Sequence, residues 1–152
     1  MFEKVIVAFD GKKESAFALK QAAGLAFAYR AEIYIIGVVS TIPSTAMTDP
    51  YPHDDFVVAG GERLLRSIRK EAEELRDREI KVFTKLVQGN PATEIAAYAR
   101  SIHADLIVIG RTQRDWLTRW FEGSTGSQLF RELTCSLLIA TGGLENVAEG
   151  SI

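Results

Sequence analysis

The chain contains one cysteine, Cys135, so no disulfide can form within it. Its stability must come from a packed core, and a reducing, cytoplasmic setting is expected. Cys135 has no histidine near it in sequence and reads as a structural thiol. The two histidines, His53 and His103, lie far apart with no ligand spacing around them. They read as loop or surface residues, and no metal site is expected. No apolar run approaches the ~18 residues that span a bilayer, so no membrane insertion is expected. The first residues enter a strand directly, without the apolar segment and cleavage site of a secretory leader. Basic residues are not in excess: 18 Lys and Arg stand against 20 Asp and Glu, a net charge of −2. That argues against a general nucleic-acid binder. Walker, GxSxG and HExxH sequences are also missing, which removes support for P-loop, hydrolase and zinc-protease chemistry.

What is present is an ordinary globular composition, 47% hydrophobic and 25% charged over 152 residues, enough for one domain with a single core. Val5–Phe9 is a β-branched and aromatic run that ends at the turn signal Asp10-Gly11. Glu14–Arg30 reads as a helix buried on one side, with Phe17, Ala23 and Phe27 near helical spacing. Strands are expected at Glu32–Val39, Ile80–Val87, Asp105–Gly110 and Ser136–Ala140. Between them, Asp54–Glu79 contains a long charged helix with an apolar stripe of Leu64, Leu65, Ile68, Ala72 and Leu75. The pairs Glu62–Arg66 and Glu74–Arg78 support that helix. Gly89-Asn90-Pro91 is a turn that starts a helix running to about Ile102. A last helix is expected at Ser124–Glu132. Residues 40–53 hold three of the four prolines and form a long loop, and 142–152 form a polar tail. The alternation of strands and helices implies a doubly wound, five-stranded parallel sheet with helices on both faces.

In such sheets, ligands sit at the carboxyl ends of strands, at the switch point. Asp10-Gly11 and Gly110 both fall at strand carboxyl ends. The run Leu106-Ile107-Val108-Ile109-Gly110 is followed by a polar loop and then by Gly123-Ser124-Thr125-Gly126, a small-residue turn opening a helix. Free N–H groups and the helix dipole favour an anion there, and glycines let a phosphate come close. The bland reading is that Gly110 ends a strand, Gly123 admits a turn, Ser124 caps a helix and Asp10 serves a turn. Between these glycines Trp116 and Trp120 stand four residues apart, beside Leu117 and Phe121. They read either as a short helix packed on the core or as a partner surface.

Several stretches together resemble the universal stress protein family, as a UspA-like domain over residues 1–141. They are Val5-Ile6-Val7-Ala8-Phe9-Asp10-Gly11, Gly89-Asn90-Pro91-Ala92-Thr93-Glu94-Ile95, Ala104-Asp105 with the strand after it, Gly123-Ser124, and Cys135-Ser136-Leu137-Leu138-Ile139. The resemblance implies an adenine-nucleotide alpha hydrolase-like fold with strand order 3-2-1-4-5. ATP-binding members carry Gly-x-x-Gly, nine residues, then Gly-Ser/Thr. Gly110 and Gly123-Ser124 match that pattern, but Gln113 stands at its middle glycine. A side chain there can crowd the phosphates or donate a hydrogen bond to them.

By the same resemblance, Val7, Asp10, Gly11 and Val38 belong near adenine and ribose, and Gly110, Gly123, Ser124, Thr125 and Gly126 near the phosphates. Lys12 replaces a common serine or threonine and reads as a phosphate neighbour or a solvated side chain. The implied protein is a cytoplasmic, ATP-binding stress-response regulator. Any Mg²⁺ would be carried by the nucleotide, and hydrolysis would be slow at most. It is implied to be a homodimer paired through Leu137, Leu138, Ile139 and Ala140, acting on a protein partner the sequence does not identify. No catalytic residue stands out. The alternative is a nucleotide-free dimeric interaction module of the same fold, favoured by Gln113 and the tryptophan pair. An enzyme of the wider adenine-nucleotide group would need a catalytic pair that the sequence does not display.

Overall fold

The computed structural model describes residues 1–40, 54–111, 131 and 133–141. Strand β1 is Lys4–Ala8, helix α1 Lys13–Tyr29, β2 Glu32–Ser40, α2 Asp54–Asp77, β3 Val82–Gly89, α3 Pro91–Ile102, β4 Leu106–Gly110 and β5 Ser136–Ala140. All strands pair in parallel, in the order β3-β2-β1-β4-β5. The register puts Val7 between Ile35 on β2 and Val108 on β4. The switch in winding direction therefore falls between β1 and β4, as the alternation of elements implies.

The inner strands β1, β2 and β4 are apolar on both faces because both faces are covered. Val5, Val7, Ile33, Ile35 and Val108 pack beneath α1 and α2. Ile6, Ile36, Ile107 and Ile109 pack beneath α3. Helix α1 meets the sheet through Ala18, Leu19, Ala22, Ala23 and Ala26. This stripe of mainly small residues brings the helix close. It also corrects the reading of Phe27, which points away from the sheet and is 72% exposed. Of the predicted stripe of α2, Ile68, Ala72 and Leu75 are buried, while Leu64 and Leu65 are half-buried. No helix among the described residues is long and apolar enough to cross a membrane.

The helices end in short turns at the amino-terminal pole of the sheet. Arg30, Glu79 and His103 each take a left-handed conformation there, with φ of 57°, 63° and 56°. After α2, the Glu79 N–H bonds the Arg76 carbonyl and the Ile80 N–H bonds the Leu75 carbonyl. Two expectations change as a result. Arg78 lies beyond the helix, so Glu74–Arg78 is not a pair along it. Ile80 closes the helix end, and β3 starts at Val82 rather than Ile80. Ser40, read as the start of the long loop, ends β2. At the same pole, Asp105 Oδ2 accepts the backbone N–H groups of Glu3 and Lys4 at 2.7 and 2.8 Å, which ties the start of β4 to the start of β1.

An aromatic cluster covers part of the α3 face. Tyr34 stacks on Phe83 at 4.8 Å and meets Tyr98 edge-on at 6.0 Å. The Tyr34 hydroxyl donates to Glu32 Oε2 at 2.7 Å, and Lys81 pairs with Glu32 Oε1 at 3.3 Å. Burial, reinforced by Glu32, pushes the Tyr34 hydroxyl up to about 12. The hydrogen bond from Tyr34, with help from Lys81, holds the Glu32 carboxyl below its ordinary range. For Tyr34 the raised value means stability that is present below pH 10 and lost as pH rises toward about 12. For Glu32 the lowered value means stability present above the ordinary glutamate range and lost as pH falls from that range through the lower folded value. Tyr34→Phe is therefore expected to flatten both edges of the stability–pH curve. Denaturant midpoints of the two proteins across the acid and alkaline limbs check this, and parallel curves would refute it.

Candidate functional site

The turn after β1 is built from Asp10, Gly11 and Lys12. Gly11 has φ of +82°, a conformation that side chains resist. Asp10 Oδ1 accepts the Lys12 backbone N–H at 2.9 Å, two residues on, which bends the chain into α1. It also accepts the Ser15 hydroxyl at 2.7 Å. Ser15 Oγ in turn accepts the Asp10 backbone N–H at 3.2 Å and lies 3.0 Å from the Lys12 carbonyl. Ser15 is 1% exposed. Asp10 is exposed, and its Oδ2 has no hydrogen-bond partner among the described residues. Lys12 is the N-cap of α1 but supplies no side-chain cap, so the positive end of the helix dipole faces the carboxylate.

Gly110 ends β4 on the adjacent strand. A Cβ there would lie 2.8 Å from the Glu14 carbonyl oxygen, 2.9 Å from its carbon and 3.1 Å from the Ser15 nitrogen. The first turn of α1 thus crosses directly over this glycine. Its lack of a side chain has a structural cause of its own, whatever ligand approaches it. Asp10, Gly11 and Gly110 are brought together at the carboxyl ends of β1 and β4, around the start of α1.

Val38 is half-buried near the carboxyl end of β2, beside Val87 of β3, and packs on the α3-side core. Val7 is different. It is 0% exposed and enclosed in the α1-side core, so its side chain lies beneath the strand ends rather than among them. In β5, Leu137 and Ile139 pack toward the α3 side and Leu138 toward the α1 side, on a strand that among the described residues pairs only with β4. Ala140 is already buried within the chain. Burial pushes the Cys135 thiol up, which keeps it protonated at neutral pH. His103 is exposed at the C-cap of α3. Gly123, Ser124, Thr125, Gly126, Gln113, Trp116, Trp120 and His53 lie outside the described residues, as do 41–53, 142–152 and most of Ser124–Glu132.

Ser15 is the site residue that motif reading passes over. Its signal in sequence is only its place, at the third position of α1 and five residues after Asp10.

The sequence model described as the universal stress protein family matches residues 1–141. A universal stress protein of Methanocaldococcus jannaschii is 30% identical over 142 residues, covering 91% of this chain and 82% of that protein. Among solved structures, a universal stress protein of Burkholderia pseudomallei superposes with a TM-score of 0.71 at 24% identity, over 91% of this chain and 95% of the other. A universal stress protein in complex with cAMP gives 0.65 at 20% identity, over 92% and 97%. One from Archaeoglobus fulgidus in complex with dAMP gives 0.59 at 17%, over 93% and 98%.

Proposed function

Because this chain belongs to the universal stress protein family and has its nucleotide alpha hydrolase-like fold, we propose that it is a small ATP-binding regulatory protein of the stress response. The observation that carries this reading is the meeting of Asp10-Gly11 and Gly110 at the ends of neighbouring strands. Two structural neighbours that hold cAMP and dAMP support an adenine nucleotide as the ligand class. The nucleoside end sits by Asp10, Gly11 and Val38, where a carboxylate accepts hydrogen bonds from hydroxyl or amino groups and repels phosphate. Val7 supports this surface from below. The phosphates lie by Gly110, Gly123, Ser124, Thr125 and Gly126, with Mg²⁺ carried by the nucleotide. Turnover is slow at most. The protein works in the cytoplasm as a homodimer joined along β5, where Leu137, Leu138 and Ile139 present a one-sided edge and Ala140 contributes backbone.

Calorimetric titration of nucleotide-stripped protein with ATP and Mg²⁺ tests this, with Gly123→Ala/Ser124→Ala as control. Dissociation constants on the order of micromolar, lost in the control, are expected. Folded, dimeric protein that takes up no nucleotide would leave the interaction module as the reading, with Trp116 and Trp120 as its surface.

A further inference from the structure

We propose that Ser15 is a positioning residue for nucleotide recognition, acting through the Asp10 carboxylate; this rests on the functional reading above. The carboxylate has two oxygens with different roles. Oδ1 is filled by the Lys12 N–H at 2.9 Å and the Ser15 hydroxyl at 2.7 Å. Oδ2 has no hydrogen-bond partner among the described residues, at an exposed strand end. The two donors on Oδ1 fix the carboxylate's rotation and so fix where the lone pairs of Oδ2 point. The Lys12 N–H alone would leave the group free to pivot about a single contact.

Ser15 can do this because it is itself held on three sides. Its Oγ accepts the Asp10 N–H, it sits near the Lys12 carbonyl, and its backbone passes over Gly110 at a distance that no side chain would permit. A buried hydroxyl on a helix anchored to β4 thereby orients a carboxylate carried on the turn after β1. The ligand class follows from the chemistry of Oδ2, an anionic acceptor. It selects a donor, the ribose 2′-hydroxyl or the exocyclic amine, and the cost of a misaimed acceptor falls on affinity for ligands that carry that donor.

The test is a double-mutant cycle on the full chain, with ATP, 2′-deoxy-ATP and inosine triphosphate as probes. Ser15→Ala is expected to weaken ATP binding about tenfold, the worth of one well-aligned charge-assisted hydrogen bond. Asp10→Asn should weaken it at least as much, and adding Ser15→Ala to Asp10→Asn should change little further. The probe lacking the donor that meets Oδ2 should bind the wild type more weakly and show little response to Ser15→Ala. Side-chain coupling constants of Asp10 in the ligand-free protein should report one rotamer in the wild type and averaging in Ser15→Ala. Losses that add in the double variant, or that fall equally on all three probes, would mean Ser15 only supports the fold and would overturn the inference. ATP binding that neither single variant alters by more than about twofold, set against the expected loss, would overturn it while leaving the functional reading intact. Folded wild type that binds none of the probes would overturn both.

Discussion

Gly110→Ala is expected to destabilise the fold by about 3 kcal/mol, the upper part of the range for forcing atoms into packed space. The reason is what the new methyl meets. Its nearest neighbours are the carbonyl oxygen and carbon of Glu14 and the nitrogen of Ser15, all backbone and all closer than 3.2 Å. A side chain could turn aside, but a helix backbone can only move as a body. That movement would draw the first turn of α1 off β4 and carry Ser15 away from Asp10. The urea midpoint should fall, and whatever folded protein remains should bind ATP more weakly. An unchanged midpoint with selectively lost nucleotide binding would contradict this reading and mark Gly110 as a ligand glycine alone.

The second large effect is expected at Ile68. It is fully buried on α2, and its Cδ1 lies where a Cβ on Gly37 would be, at 2.7 Å. The isoleucine therefore fills the gap that the glycine leaves in β2, and Leu64 and Leu86 close around it at 3.0 and 3.1 Å from that same point. Ile68→Ala removes the filling and is expected to cost about 3–4 kcal/mol, a transfer loss plus a cavity. The glycine side can be probed independently. Gly37→Ala meets only side-chain tips, so it should cost less than Gly110→Ala. Ile68→Val deletes the obstructing Cδ1, so the pair Gly37→Ala/Ile68→Val should cost less than the sum of its parts. Equilibrium unfolding of the three variants decides it, and strict additivity would show that the two residues do not share this space.

These cases separate what sequence reading reaches from what it does not. The order of strands and helices was legible because runs such as Val5–Phe9 and Leu106–Gly110 are uniformly apolar and the intervening segments carry helical spacing. The apolar stripe of α2 was legible for the same reason. The face of α1 was not. Small alanines, not the large Phe27, lie against the sheet, and hydrophobicity alone does not rank close approach above bulk. The limits of β3 were missed because Ile80 serves a helix end through a backbone bond to Leu75, which its side chain does not advertise. At the candidate site, Asp10, Gly11 and Gly110 were visible as strand-end residues. The hold of Ser15 on Asp10 and the crossing of α1 over Gly110 depend on distances between elements, and no local pattern encodes those.

The tight turns that follow the helices carry an evolutionary consequence. Only Arg30–Ala31, Arg78–Lys81 and His103–Asp105 separate α1, α2 and α3 from the strands that follow them. One inserted residue at a helix end would swing the preceding helix by about 100° relative to that strand, turning its alanine or isoleucine stripe off the sheet. At the other pole, long stretches of chain follow β2 and β4. Length gained or lost there leaves the stripes of α1, α2 and α3 against the sheet. The lineage's history of insertion and deletion should therefore be written almost wholly at one pole, the one that carries Asp10 and Gly110.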